Sequence, residues 1–519
     1  VGDGGWQLAA PRDAALRGSW WEIYGDATLN DLEARVVISN QTVIAAEANY
    51  RAAQALVQQS QAALFPTVST DPSVTRSKSS ASVLSSSNSG TTATGSSTPS
   101  TGTSTGAGSS VNTSAGGSTS PRTIFALPLE ATYQVDLWGS IRNTVAQNRY
   151  SAQASAAQLA NALLSTQTSL AQDYFQMRIA DEERRILDDT LADFRANRRL
   201  VQTLFNNGLD SDEDLAQADT QLKSAEAQAT DLGITRATYE HAIAVLIGVP
   251  PSKFSLPYKR FNQTLPDVPV DGIPADLIER RPDIAAAERQ VAAANAAIGV
   301  ARAAYFPALT VSGTAGYEST ALGQLLNAPN RFWSFGPDLA ETLFDGGARR
   351  AASARARAED DAAAANYRQT VLSALQSVED NLASLRILAQ EVAEEHAAAV
   401  AAQRAVQLSV VRFRNGVDSY VNVITAQNAF LSARETEVQV ELRQLTASVN
   451  LINNLGGGWS KAQLPQTESL GQNPARANSE PNVPIEASEH VSPNPPPLPA
   501  REILPEEMLE QDQETLGKP

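Results

Sequence analysis

The pattern of apolar and polar positions switches between two periods along this chain. Apolar residues spaced three or four apart predict long helices, and strict alternation of apolar and polar residues predicts strands. The helical period covers residues 28–64, 139–206, 211–247, a helix after residue 282, 348–415 and 419–454. The alternating period covers residues 67–76, 121–138, 308–319 and 330–343. The fold is therefore predicted to be mainly α, with four strands.

Each predicted strand has one apolar and one polar face, because successive side chains of a strand point to opposite sides. The apolar face carries Phe125, Leu127, Leu129, Tyr133, Leu309, Val311, Tyr317, Trp333 and Phe335. The polar face carries Glu130, Gln134, Thr310 and Ser312. This division predicts a sheet with apolar surroundings on one side and water on the other.

The same order of elements occurs twice, which indicates an internal repeat. Ala45-Ala46-Glu47 returns as Ala286-Ala287-Glu288, and Phe65-Pro66 returns as Phe306-Pro307. We place the first repeat at residues 28–247 and the second at 282–459, joined by a Pro-punctuated connector, 248–281. In each repeat the long helix measures roughly 100 Å. Two shorter helices stacked end to end would match it, which predicts a wall of helices.

In each repeat a turn separates the long helix from the helix that follows it. The two turns, Phe205–Ser211 in the first repeat and Phe413–Ser419 in the second, have similar sequences. Gly208 and Gly416 suit the left-handed position just past a helix end. The Asp-Ser pairs that follow, at 210–211 and 418–419, suit the cap of the next helix. Both stretches are predicted to be tips of antiparallel helical hairpins.

Composition narrows the classes of function. The net charge of −17 disfavours nucleic acid as a partner, and the absence of cysteine excludes disulfides and thiolate sites. No nucleotide motif, metal-ligand spacing or nucleophile with its base is present, so we expect no enzyme, cofactor or metal. The Ser/Thr/Gly-rich residues 77–120 are predicted to be a flexible loop and the Pro/Glu-rich residues 460–519 a disordered tail. Neither a signal peptide nor an apolar run of ~18 residues is present.

Four strands of this length can cross a bilayer at a tilt, but four strands cannot close on themselves. Open edges in lipid leave backbone groups unpaired, and the smallest membrane barrels have about eight strands. Several chains are therefore expected to share one barrel, and the arithmetic leaves eight, twelve or sixteen strands open. In such a barrel the apolar face meets lipid and the polar face the lumen.

Short motifs in both repeats add a resemblance. They are Leu64-Phe65-Pro66, Asp136-Leu137-Trp138-Gly139, Arg280-Arg281-Pro282-Asp283-Ile284, Ala301–Pro307, Asn415-Gly416-Val417-Asp418 and Leu455-Gly456-Gly457-Gly458-Trp459. Over residues 20–459 the chain resembles the outer-membrane efflux protein family, the TolC/OprM-like factors of tripartite drug efflux pumps. The resemblance implies a homotrimer with a 12-stranded β-barrel in the outer membrane and an α-helical barrel in the periplasm. Residues 1–27, an N-terminal extended segment, and the connector would form an equatorial region. A lipidated N-terminal Cys, usual in such proteins, is absent from this chain.

The resemblance also implies partners and site residues. The partners are a periplasmic adaptor, an inner-membrane pump, with the RND type favoured, and outer-membrane lipid. The pore constriction maps onto Val421 and Thr425, where Thr425 replaces an expected carboxylate, and Asp418, Asn422 and Asn428 are further candidates to line it. Tip and adaptor-docking candidates are Gly208, Leu209, Asp210, Ser211, Arg412, Asn415, Gly416, Val417 and Ser419. Of the two hairpins, the second is expected to lie nearer the pore axis.

Other interpretations stay open at this point. The turn residues can be explained as helix stop and start signals alone. The same architecture serves outer-membrane channels of type I protein secretion. Heptad-like spacing without the strands would favour a coiled-coil structural scaffold.

Overall fold

The structure, a computed structural model, describes residues 18–78, 121–261, 265–266, 280–467 and 469–470. Its helices are α1 (Ala27–Ser39), α2 (Gln41–Ala62), α3 (Ser140–Asn206), α4 (Asp212–Leu246), α5 (Pro282–Ala303), α6 (Ala348–Arg414) and α7 (Tyr420–Asn454). Its strands are β1 (Thr67–Thr70), β2 (Ser73–Ser77), β3 (Arg122–Val135), β4 (Ala308–Ser319) and β5 (Arg331–Ala340). The predicted flexible loop from residue 79, residues 262–264 and 267–279 of the connector, residues 1–17 and the tail beyond residue 470 lie outside the described residues.

The helices of the two repeats have equal lengths. The helices α2 and α5 each have 22 residues, α3 and α6 each have 67, and α4 and α7 each have 35. In one half of the wall the order of neighbours is α2, α3, α5, α6, and in the other half it is α4, α3, α7, α6. Thus α2 and α4 share one column beside α3, and α5 and α7 share another between α3 and α6.

The single helix expected over residues 28–64 is wrong, because the chain breaks at Asn40. The Asn40 side chain accepts hydrogen bonds from the backbone N–H groups of Thr42 and Val43 and so caps α2. Its amide nitrogen also donates to the Leu246 carbonyl at 2.7 Å, at the end of α4. The second repeat has the same junction, where the Arg281 guanidinium donates to the Asn454 carbonyl at 3.0 Å. Each short column is therefore two helices joined end to end by a side-chain bond.

The strands form one antiparallel sheet in the order β1, β3, β4, β5, with β2 also pairing with β3. The strand expected over residues 67–76 is instead two strands, interrupted at Asp71-Pro72. Proline lacks the backbone N–H that a strand ladder requires. The register places Leu129, Ala315 and Trp333 in one row and Glu130, Thr314 and Ser334 in the next. All residues assigned to the apolar face share one side of the sheet, and all those assigned to the polar face share the other.

Two strands end earlier than expected because an aspartate caps the helix that follows. The Asp136 carboxylate accepts from the backbone N–H groups of Ile141 and Arg142, at 3.0 and 2.9 Å, so β3 stops at Val135 rather than at residue 138. Asp345 accepts from the backbone N–H of Gly347 and Arg349 in the same way. The strand β5 stops at Ala340 rather than at residue 343.

The largest apolar core lies midway along α3, where the N-terminal segment is not simply extended. Residues Trp20–Tyr24 form a 3-10 turn, and α1 follows. The buried members of this core are Trp20, Tyr24, Leu29, Leu32, Val36, Leu164, Leu170, Ala171, Tyr174, Phe175, Met177, Ile243, Ile247, Leu445, Val449 and Ile452. Four helices and the N-terminal turn therefore meet at this level.

A buried ionic network fixes the start of the connector to α3 and α4. Arg178 contacts Asp181 at 2.9 Å and donates to the Pro257 carbonyl. Arg236 contacts the same carboxylate at 2.8 Å, and the Lys259 N–H donates to it as well. Because each charge has partners, burial of this group is tolerated. None of the helices in the described part of the chain contains an apolar stretch of the length that a bilayer crossing requires.

Candidate pore aperture at the hairpin tips

Both hairpin turns have the same backbone. Gly208 and Gly416 have φ of 70° and 69°, the left-handed region that glycine adopts without strain. The N–H of Leu209 donates to the Leu204 carbonyl at 2.9 Å, and the N–H of Val417 donates to the Arg412 carbonyl at 3.0 Å. The expected left-handed glycine after each helix is confirmed.

The caps of the following helices differ between the two tips. In the first, the Ser211 hydroxyl accepts from the Asp214 N–H at 3.1 Å, as the sequence predicts. In the second, Ser419 occupies the cap position but forms no side-chain cap bond, so that part of the prediction is wrong. The neighbouring Asp418 is also unavailable, because its carboxylate faces Arg412.

Arg412 and Asp418 form a two-pronged ion pair across the second turn. The guanidinium Nε and Nη2 lie 2.6 and 3.0 Å from the two carboxylate oxygens. The hydrogen bond from Arg412 lowers the pKa of Asp418 below its ordinary value. Planar pairing of this kind fixes orientation as well as charge. In the described chain Arg412 thus braces its own turn.

Carboxyl groups crowd the first tip, which has no counterpart of the arginine. Burial and the nearby Asp214 both raise the pKa of Asp210. The first turn of α4 adds Asp212 and Glu213. The second tip instead has an aromatic contact between the end of α6 and the start of α7, where the ring centroids of Phe413 and Tyr420 are 5.3 Å apart. The two tips share a backbone but differ in charge and packing.

The constriction candidates form one exposed stripe on the first turns of α7. Val421, Asn422, Thr425 and Asn428 are exposed, whereas Val423 and Gln427 between them are buried. The Thr425 hydroxyl donates to the Val421 carbonyl at 2.8 Å, so it is bonded within its own helix. At the apex of the turns, Leu209 and Val417 are also exposed.

A reciprocal amide pair connects the two hairpins at the Asn428 end of this stripe. Nε2 of Gln221 on α4 donates to Oδ1 of Asn428 on α7 at 2.5 Å, and Nδ2 of Asn428 returns a bond at 3.3 Å. Between this pair and the turns, Val201 and Ala218 of the first hairpin pack with Tyr420 and Val423 of the second. The hairpins of one chain are therefore joined at their tips by an apolar cluster and a polar bond.

Comparison with known proteins decides the family. The family model described as "Outer membrane efflux protein" matches residues 35–249 and 273–457, most of the chain. This chain belongs to that family. The relative OpmQ of Pseudomonas aeruginosa, a pyoverdine export outer membrane protein, is 30% identical over 460 residues, covering 87% of this chain and 90% of its own. TtgC of Pseudomonas putida, a probable efflux pump outer membrane protein, is 28% identical over 447 residues, 86% of each chain.

The architecture also matches a solved channel of the same kind. The structure of the outer-membrane channel OprN has a TM-score of 0.75 and 27% identity, covering 87% of this chain and 95% of that one. The fold class is therefore that of outer-membrane efflux channels, with a helical part and a β-sheet part. This result confirms the resemblance drawn from the sequence motifs. The family is one of channels. Within the described residues, no group of His, Asp and Glu side chains is arranged to hold a metal ion.

Sequence reasoning missed two features of this efflux channel. The Gln221–Asn428 pair joins residues 207 positions apart, and nothing in a local pattern marks two exposed amides as partners. A packed segment after α7 was also missed, because residues from 460 onward were assigned to the disordered tail. Trp459 and Leu464 pack on Ala157 and Ala285, and the Leu470 side chain is buried beside Val57 and Ala152. The apolar residues Leu464 and Leu470 within the predicted tail were the available signal.

Proposed function

We propose that this efflux protein is the outer-membrane conduit of a tripartite pump. Solutes would pass through it without chemistry, expelled by an inner-membrane pump of the RND type through a periplasmic adaptor. The main support is the family assignment together with names of relatives that describe efflux pump components. Those names favour efflux over type I protein secretion, and the five-stranded sheet argues against a purely coiled-coil scaffold.

The working unit in this proposal is a homotrimer. In one chain the sheet has β5 on one edge and β1 and β2 on the other, none with a further partner among the described strands. The helical wall likewise has α6 on one edge and the α2–α4 column on the other. Leu372, Ile387, Val400, Leu408 and Val411 of α6 are exposed apolar residues, as are Leu56, Ile234 and Val245 on the opposite edge. Both edges are the surfaces that a second copy would cover.

The internal repeat supports one arrangement of the copies. Within the chain, α3 of the first repeat packs against α5 of the second, and a Cβ at Gly299 would lie 2.6 Å from Cγ of Asn143. Between copies, the corresponding contact is α6 against α2, where the matching residues are Ala351 and Gln58. A small residue faces a larger one at both places, with the sizes exchanged. Ala351 and Gln58 are exposed in the single chain, as such a contact requires.

Cysteine cross-linking tests this assembly cleanly, because the chain has no native cysteine. The pair Ala351→Cys and Gln58→Cys should yield covalent dimers and trimers on oxidation, since bridged Cβ atoms must lie within about 4.5 Å. The matched control, Asn143→Cys with Gly299→Cys, should form a bridge only within one chain. A protein that runs as a monomer in detergent, with no cross-link, would overturn the homotrimer.

The tips are the proposed aperture and docking surface. The exposed stripe Val421, Asn422, Thr425 with the braced Asp418 would face the pore axis, and Leu209 and Val417 would meet the adaptor.

A strain lacking this protein, but retaining its pump and adaptor, should become sensitive to the exported compounds. Resistance should return with the wild-type chain and not with a chain lacking residues 205–211. Unchanged sensitivity of the deletion strain to every pump substrate would contradict the role in efflux.

A further inference from the structure

Two apolar clusters, at different distances from the turns, hold the two hairpins of the chain together. The tip cluster consists of Val201 of α3, Ala218 of α4, Phe413 of α6, and Tyr420 and Val423 of α7. The shaft cluster lies further from the turns and consists of Ile179, Ile186, Leu187, Leu191, Phe194, Leu222, Ala225, Ala229, Leu431 and Val438. Each cluster contains residues of both hairpins, so each resists their separation.

Two buried amide side chains lie between these clusters. On α3, Asn197 is three residues past the last residue of the shaft cluster and four before the tip cluster. On α7, Gln427 is four residues from the nearest member of each cluster. Asn197 is 7% exposed and Gln427 is 5% exposed, so both occupy core positions. An apolar residue at these positions would continue the seam between the hairpins.

The hydrogen bonding at this level is incomplete. The side-chain oxygen of Gln427 is buried and accepts no hydrogen bond from a described residue. At the edge of the same level, Gln221 of α4 donates to Asn428 of α7. A buried amide oxygen without a donor costs free energy rather than contributing it. We call Asn197, Gln221, Gln427 and Asn428 the amide layer.

The amide layer interrupts the contact between the hairpins but not the packing within the first hairpin. On α4, Ala218 of the tip cluster is followed one turn later by Leu222 of the shaft cluster. Separation of the hairpins from the turns as far as the amide layer therefore disrupts the tip cluster alone. Separation beyond it would also expose the shaft cluster, which has ten buried residues against five among those described. The larger apolar area makes that second step more costly.

We propose that the amide layer is the level at which separation of the hairpins stops, so that the aperture opens by movement of the tip segments alone. The inference rests on the proposed function, because it concerns the aperture at the tips. Gln427 follows Tyr420 by seven residues, which places the layer roughly 10 Å from the start of α7. A contact with an unpartnered amide can bend without losing a hydrogen bond, and water can reach the amides as the tips part.

Reversible cross-links in planar-bilayer recordings test where the separation stops. All variants carry Arg412→Ser, which breaks the brace of the second turn and is expected to raise single-channel conductance about 1.5-fold. The chain has no native cysteine, so a short reducible bis-thiosulfonate reagent joins only the introduced pairs. A cross-link in the tip cluster, between Ala218→Cys and Val423→Cys, should cancel that gain. A cross-link in the amide layer, between Gln221→Cys and Asn428→Cys, should leave it intact.

The matched control joins the same hairpins within the shaft. Gln439 of α7 donates to Glu183 of α3, and a cross-link between Glu183→Cys and Gln439→Cys should also leave the gain intact. Dithiothreitol should restore the gain to the tip-cluster variant, because the cross-link and not the substitutions holds the aperture closed.

The possible outcomes separate the inference from the proposed function. Loss of the gain on cross-linking the amide layer or the shaft, or its persistence with the tip cluster cross-linked, would overturn the inference. Val421→Ala replaces Arg412→Ser as background if only Val421→Ala raises conductance. Absence of a gain from either change without a cross-link would instead refute the proposed aperture, and the inference with it.

Filling the amide layer gives a second measurement. Asn197→Leu with Gln427→Leu should make the seam continuous and couple the tip cluster to the shaft cluster. The double variant should unfold at a higher temperature and reduce the gain from Arg412→Ser. Thr190→Val is the control, because it removes a buried hydroxyl from α3 at the level of the shaft cluster and should leave the gain unchanged. A folded double variant with the full gain would contradict the inference, and the cross-links decide the case if the double variant does not fold.

Discussion

The Asn40 side chain donates to the Leu246 carbonyl at 2.7 Å while its oxygen caps α2, so one residue joins two helices end to end. Arg281 and Asn454 make the corresponding bond in the second repeat with different chemistry. Each short column is therefore two helices with a junction between them, and this junction determines how the column packs along the neighbouring long helix.

Replacing Asn40 by Ala should destabilise the protein by about 1–3 kcal/mol. The change removes a helix cap and leaves the Leu246 carbonyl without its side-chain donor. Thermal unfolding followed by circular dichroism in detergent measures the loss. Gln41→Ala, at the next and exposed position, should be nearly neutral, and equal losses in the two variants would argue against a special role for Asn40.

Gly248→Ala should be more destabilising than Gly25→Ala, although both glycines have positive φ. A Cβ at Gly248 would overlap the Ser39 carbonyl beside the helix junction, whereas a Cβ at Gly25 has no atom within 4 Å. Gly25→Ala should therefore show only the left-handed penalty of about 1–2 kcal/mol. Comparison of the two unfolding midpoints isolates the close approach, and identical midpoints would contradict it.

Changes at the second tip should widen the proposed aperture. Val421→Ala removes exposed apolar bulk, and Arg412→Ser releases Asp418 from its brace, so each should raise single-channel conductance about 1.5-fold or more. Asp210→Asn removes a charge at the first tip, which is expected to lie further from the axis, and should have little effect. If neither second-tip variant alters conductance, the aperture is not formed there.

Glu33 should make stability fall as the pH rises. Its side chain is fully buried in α1 without a hydrogen-bond partner among the described residues, and burial raises its pKa to about 9. Between the ordinary glutamate pKa of about 4.3 and that value, the unfolded chain ionises first. Each pH unit in this window then removes at most about 1.4 kcal/mol from the free energy of unfolding.

Glu33→Gln should remove this dependence. Unfolding temperatures of wild type and variant, measured from pH 6 to pH 9, should diverge with the variant increasingly the more stable. Asp31→Asn, an exposed change in the same helix, serves as control and should follow the wild-type curve. Parallel curves for wild type and Glu33→Gln would show that the carboxyl does not carry a proton when folded.

The sequence predicts the repeat, the long and short helices and the two faces of the strands. Two of these signals are local: apolar periodicity for the long helices and alternation for Phe125–Val135. Residues that join distant segments were not accessible. Asn40 interrupts a helical pattern without disturbing its period, and its reason for doing so, the end of α4, lies about 200 positions away. Asp418 likewise pairs with Arg412, and the helix cap that the local Asp-Ser pair predicts does not form.

By itself, the sequence determined the order of elements, their doubling and the positions of the tips, because periodicity and turn chemistry act over a few neighbouring residues. Only the tertiary structure decided which helices share a column, which tip carries the arginine brace and which amides join the hairpins. These relationships depend on register and packing between segments far apart in the chain, and no local pattern encodes them.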